Sequence, residues 1–178
     1  DPDWTTTGTM TVSHLANAAW RLDSGAVMAV GGCALAACPL GLVNAVCSQV
    51  VSSTSVWNPM SGTWAAGPPL LTARFSYASV VLSNNELLVA GGCTGSNCTS
   101  TTAAAERYSK ATQQWVSAGN LSSKRARVSG ALLPNGDALL PGGCDEVRCL
   151  TEAARYDAAA NQWTTLAPLA GPRGFATT

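Results

Sequence analysis

Charge is scarce in this chain. Charged residues make up 11% of its 178 positions, ten cations balance ten acids, and lysine occurs only at Lys110 and Lys124. A surface so poor in cations cannot displace the counterions of a nucleic acid, which excludes general nucleic-acid binding. Low charge beside 47% hydrophobic content also argues against a disordered tail. No apolar run approaches the roughly 18 residues that suggest a membrane-spanning helix. Histidine is nearly missing, so a Ser-His-Asp set could form only around His14. No carboxylate pair recurs and no phosphate-binding loop appears, so no reactive constellation supports catalysis and no cofactor is expected.

What the chain does have is a pattern copied three times. Trp4, Trp64, Trp115 and Trp163 are each followed ten residues later by a cation: His14, Arg74, Arg125 and Arg173. From each of the first three cations it is 17 residues to a glycine pair, at Gly31-Gly32, Gly91-Gly92 and Gly142-Gly143. A cysteine follows each pair at once and another comes five residues later: Cys33/Cys38, Cys93/Cys98 and Cys144/Cys149. An aromatic sits seven residues before the next tryptophan, at Trp57, Tyr108 and Tyr156. Fixed offsets at this period mark one supersecondary unit repeated, and the unit sets the architecture.

Each copy divides into four short strands, here called a to d. In the middle copy apolar runs flank Ser83-Asn84-Asn85, and in the third they flank Pro134-Asn135-Gly136-Asp137, which are hairpin signals. A third run ends at the repeat aromatic, and a fourth begins at the tryptophan. The period shortens from 60 to 51 to 48 residues. All of that variation falls between the second cysteine and the aromatic, a gap of 19, 10 and 7 residues. Such variation predicts a surface loop between strands b and c, since packed strands tolerate insertion poorly.

Four-stranded sheets repeated at about 50 residues fit the radial stacking of a β-propeller. The run of Arg, apolar strand, turn, apolar strand, Gly-Gly, Glu106-Arg107-Tyr108 and Trp115 resembles the kelch repeat. The resemblance covers essentially the whole chain and is distantly similar to the propeller of secreted galactose- and glyoxal-oxidase-like proteins. Departures are Ser55 and Ala154 where the repeat has an acid, His14 for the Arg and Trp57 for the Tyr. They predict weaker polar contacts in those copies. The resemblance implies an all-β kelch-type propeller segment of about three four-stranded antiparallel blades from a larger six- or seven-bladed ring. The expected divisions are 1–13 (outer strand of a preceding blade, Trp4 to about Met10), 14–73, 74–124 and 125–172 (three blades), and 173–178 (first strand of the next). The remainder of the propeller is then expected from the same longer polypeptide.

The cysteine pairs are not a usual kelch feature. Zinc needs four ligands about one point, and each short loop offers two thiols with a single histidine in the chain. The spacing therefore predicts disulfides Cys33–Cys38, Cys93–Cys98 and Cys144–Cys149, and with them an extracellular, secreted or cell-surface location. Cys47 is left over, either bonded outside this stretch or buried as a thiol. The loop holding it also carries apolar residues at 40–43, 46 and 50–51, which could contact a partner or fold over their own blade.

Because strand direction alternates, the b–c and d–a loops share one face. That face gathers the cysteines, two N-x-S/T glycosylation candidates at Asn97 and Asn120, and the cations His14, Arg74, Arg125 and Arg173. The cations either ring the channel mouth, where they could bind a carboxylate or sulfate, or pair with neighbouring groups and hold the blades. The leading functional reading is a non-catalytic extracellular propeller that binds a protein or glycan through this face, in an adhesion, matrix or surface assembly. The alternative is the propeller part of a secreted carbohydrate or alcohol oxidase whose active residues lie elsewhere. Copper would need several His or Tyr ligands, and the chain offers His14, Tyr77, Tyr108 and Tyr156.

Overall fold

The structure is a computed structural model that describes residues 6–14, 18–34 and 47–174. It holds twelve strands in three four-stranded antiparallel sheets. The first sheet contains β1 (Ala18–Arg21), β2 (Val27–Ala34), β3 (Gln49–Asn58) and β4 (Thr63–Gly67). The second contains β5 (Ala78–Val81), β6 (Leu87–Ala90), β7 (Ala104–Ser109) and β8 (Gln114–Asn120). The third contains β9 (Ala131–Leu132), β10 (Ala138–Pro141), β11 (Ala153–Asp157) and β12 (Gln162–Leu166). Neighbours in each sheet are neighbours in sequence, so each blade is a simple meander.

Strand β6 shows how the blades stack. All four of its residues are buried, although a strand sends alternate side chains to opposite faces. Leu87 and Val89 pack with Trp20, Met28, Val30 and Leu70 of the first blade. Leu88 and Ala90 pack with Val128, Ala138, Leu140 and Tyr156 of the third. The second blade is therefore sandwiched between its neighbours. The outer strands β4 and β12 have only partly buried residues and carry the exposed rim.

The repeat tryptophans follow this geometry. Trp115 is buried in the junction between the first two blades. Trp163 packs against the junction of the second and third, and its indole N–H donates to the Ala118 carbonyl at 2.8 Å. Trp64 is half-buried, and Trp4 lies outside the described residues.

One local expectation is met by only part of its residues, and another is corrected. The described part of the strand expected before Met10, residues 6–10, is irregular. A strand needs a partner for its backbone groups, and no described strand pairs with it. In the first blade the extra length between the cysteines and Trp57 is not all loop. Strands β2 and β3 stay paired beyond the glycines, with Cys33 opposite Val50 and Ala34 opposite Gln49, so Val50 and Val51 are strand residues. The apolar residues expected to form the loop at 40–43 and 46 fall outside the described residues.

Candidate functional site: the disulfide face and the buried cations

The glycine pairs seat each blade on the next. Gly32 N–H donates to the Arg74 carbonyl at 2.8 Å, Gly92 N–H to Arg125 at 2.8 Å, and Gly143 N–H to Arg173 at 2.7 Å. These glycines have φ of 101°, 106° and 99°, a region side-chain-bearing residues avoid. A Cβ at Gly92 would also stand 2.9 Å from the Tyr77 Cβ and 3.0 Å from the Phe75 carbonyl oxygen. Backbone contact across the junction thus requires glycine.

The cations those carbonyls belong to do not form a free ring. Arg74 is fully buried. It donates to the carbonyls of Gly91 at 2.6 Å and Ala104 at 2.7 Å, and to Glu106 Oε1 at 2.6 Å. The Glu106 carboxylate in turn accepts from the N–H groups of Leu71 and Thr72, on the link from the previous blade. Arg125 is fully buried too and repeats the scheme, donating to the carbonyls of Gly142 and Glu152, both at 2.9 Å, and to the Glu152 carboxylate. Ser122 and Ser123 on the preceding link donate to that carboxylate. Burial lowers both arginine pKa values and the facing carboxylates oppose the shift. Burial works to raise the Glu152 carboxyl, but the two serine hydroxyls and Arg125 outweigh it and hold it below the usual range. As ligand-binding cations Arg74 and Arg125 are corrected: their donors face carbonyls and carboxylates of their own junctions. Arg173 is exposed and donates to the Pro172 carbonyl at 3.2 Å.

The departures from the repeat also read differently in three dimensions. Ala154 occupies the place of Glu106, yet Glu152, two residues earlier and just before β11, reaches the corresponding cation, Arg125. In the first blade a smaller side chain meets a smaller neutral partner. His14 Nδ1 lies 2.6 Å from the Gly31 carbonyl and Nε2 lies 2.9 Å from Ser55 Oγ. At His14, Ser55 and Ala154 the polar contacts expected to weaken are rebuilt with different residues, while the Trp57 indole N–H is buried without a partner among the described residues.

The cysteines form three bridges: Cys33–Cys47, Cys93–Cys98 and Cys144–Cys149. The Cys33–Cys38 pairing expected from the spacing is corrected. Continued pairing of β2 with β3 brings Cys47 beside Cys33, with Cα atoms 5.5 Å apart, and Cys38 lies outside the described residues. Cys47 is thus neither an external bond nor a free thiol. The first two bridges are packed under the following blade: Cys33, Cys47 and Cys93 form one buried cluster with Phe75 and Ala126.

The disulfide loops also hold one another. In the loop of the second blade, Asn97 N–H donates to the Cys47 carbonyl at 3.1 Å and Ser96 Oγ to the Ser48 carbonyl at 3.0 Å. In the loop of the third, Glu146 accepts from Thr101 N–H at 2.6 Å and Thr101 Oγ1 at 3.0 Å, and pairs with Lys124 at 2.7 Å. Lys124 leads these contacts in lowering the Glu146 carboxyl to about 2. Asp145 Oδ1 accepts from the N–H groups of Val147 and Arg148, leaving Val147 90% exposed at the loop tip. Asn97 and Asn120 are both exposed.

The tyrosines considered for copper have structural partners. Tyr77 is a junction bolt, its hydroxyl donating to the Val30 carbonyl and accepting from Ala18 N–H at 2.9 Å. Burial pushes that hydroxyl far above its ordinary pKa. Tyr156 donates to Asn161 at 2.6 Å, and Tyr108 packs edge-on against Trp20 and Trp115. No cluster of three His, Cys, Asp or Glu that could hold a metal occurs among the described residues.

Meandering four-stranded blades stacked face to face define a β-propeller segment. A family profile described as the kelch motif matches residues 74–122, the second blade. The solved structure of YjhT, a kelch-type propeller, aligns with TM-score 0.69 and 16% identity over 90% of this chain. The aligned part is 54% of YjhT, so the chain spans about half the length of that protein. At this identity the likeness concerns the fold. No curated protein matches the sequence.

Proposed function

We propose that this chain is part of a non-catalytic extracellular propeller whose disulfide-bearing face binds a protein or glycan partner in an adhesion, matrix or surface assembly. The observation that carries the reading is the concentration of three disulfides on one face, each in a loop tied to its neighbour. Disulfides persist in oxidising compartments, and variable loops on a rigid scaffold are a common place for recognition. Ordered loops lose less entropy on binding than mobile ones. We further propose N-glycans at Asn97 and Asn120, two exposed acceptors that would frame the contact area and leave the third blade's loop open. The remaining blades of the ring would come from the same longer polypeptide.

The test is binding of the intact secreted protein to cell surfaces and extracellular matrix. Loss of binding in Val147→Asp and Arg148→Glu, with Met60→Asp on the opposite face unaffected, supports the reading. Equal binding by all variants, or loss only in Met60→Asp, defeats it. Peptide-N-glycosidase treatment, with Asn97→Gln and Asn120→Gln, checks the glycans by mass.

A further inference from the structure

We propose that a cleft between the first two blades, on the turn face opposite the disulfides, binds a neutral sugar residue. The cleft has a volume of about 290 Å³ and is lined by Trp20, Tyr108, Asp23, Ser24, Lys110 and Gln113, among others. That is the small end of the range for ligand pockets, which begins near ~300 Å³. A second cavity of about 530 Å³ shares Trp20 and Asp23 with it.

The apolar wall comes from Trp20 and Tyr108, packed edge to face with centroids 5.2 Å apart. Trp20 is 4% exposed, and its indole N–H has no acceptor among the described residues. That donor has no accessible surface, and the indoles of Trp57 and Trp115 are buried in the same way, so the ring lends the cleft its apolar surface and not its N–H.

The rim selects the class of ligand. Asp23 and Lys110 pair across the junction at 2.5 Å, and Asn85 also donates to Asp23. Their charges cancel, so the cleft carries no net charge to draw in an ion, and a charged ligand would have to compete with the pair. What remains is a closely spaced set of donors and acceptors: carboxylate, ammonium, the Gln113 amide and the Ser24 hydroxyl. Neighbouring hydroxyls of a sugar match such a set, while its C–H face suits an aromatic wall.

The next junction lacks these parts. Leu22, Leu82 and Leu133 hold the same turn bond, donating to the carbonyls of Ala26, Glu86 and Asp137. Aligned on those leucines, Trp20 becomes Val80 and Asp23 becomes Ser83. Aligned on the repeat tyrosines, Lys110 becomes Ala158. The cleft is a local addition to the repeat, and it does not depend on the reading of the disulfide face.

The experiment is a titration of the isotope-labelled intact protein with glucose, galactose, mannose and N-acetylglucosamine, with glucuronate as the charged comparator. Concentrations run through the millimolar range, where weak single-sugar binding is seen. We expect a neutral sugar to shift the Trp20 indole resonance, assigned through Trp20→Phe, in a saturable way. Lys110→Ala and Gln113→Ala, both at exposed positions, should each weaken binding about tenfold, with the amide spectrum of each variant checking that the fold is kept. No saturable shift with any neutral sugar, tighter binding of glucuronate, or shifts indifferent to both variants would overturn the proposal.

Discussion

At the scale of single residues, the buried guanidinium groups are the most demanding feature. Arg74 and Glu106 are 0% and 2% exposed and 2.6 Å apart, so removing either leaves the other charged and buried. Arg74→Met should therefore cost roughly 3–5 kcal/mol, read from urea unfolding. The third blade offers a sharper test, because its carboxylate stands two residues earlier, just before β11. Glu152→Ala should destabilise, and adding Ala154→Glu should restore most of the loss by returning the acid to the place Glu106 holds in the second blade. No restoration in the double variant would show that the two positions are not interchangeable. Glu146 adds a pH dependence. Its carboxyl is lowered from 4.5 to about 2, first by Lys124, so the folded state binds its proton less readily than the unfolded chain. Its contribution is full above about pH 4.5 and fades as pH falls towards 2. Glu146→Gln should be less stable than wild type at neutral pH, and the difference should shrink across that window in acid titrations followed by tryptophan fluorescence.

At the scale of elements, strand order was legible in the sequence because turn signals and the glycine pairs punctuate every copy. The Asn135-Gly136 turn, the position of β6 before Gly91 and the start of β8 beside Trp115 all follow from local chemistry. The cysteine pairing of the first blade was not legible. The C-x4-C spacing of Cys33 and Cys38 is identical to that of the other blades, and nothing local reveals that β2 and β3 stay paired past the glycines, through a register shift between Val30 and Gly32, and deliver Cys47 instead. Likewise the departure at Ala154 reads in the sequence as a lost acid, since only the folded contact with Arg125 reveals Glu152, just before β11, as its replacement. Peptide mapping without reduction should recover a Cys33–Cys47 linkage beside Cys93–Cys98 and Cys144–Cys149. On the chain-entropy picture, closing the longer first loop, with a separation of 14 residues against 5 for the others, stabilises more, about 3 against about 2 kcal/mol. Replacing Cys33 and Cys47 with alanine should thus cost more than replacing Cys144 and Cys149, with urea midpoints as the measure.

At the scale of the whole molecule, the blades behave as a linear array in which each contacts only its neighbours, and stability is a sum of blade and junction terms. The junctions are chemically alike in their glycine bonds and unlike in their bolts. Tyr77 ties the first junction through Val30 and Ala18, with Asp23, Asn85 and Lys110 on the turn face. The second relies on Arg127 N–H donating to the Ser76 carbonyl at 2.8 Å, the Trp163 indole on Ala118, and Glu146 reaching back to Thr101. Tyr77→Phe removes one bolt and leaves the Val30 carbonyl short of a partner, at a cost of about 1–3 kcal/mol. In a fully cooperative domain that loss would accelerate exchange of all the slowest amides equally. In an array it acts first on one side. Hydrogen exchange of Tyr77→Phe should then show faster opening of β1 and β2, while β10 and β11, buried behind the intact second junction, keep their wild-type protection. Uniform acceleration across all three sheets would instead mean that the blades open as one unit and that the junctions cannot be altered one at a time.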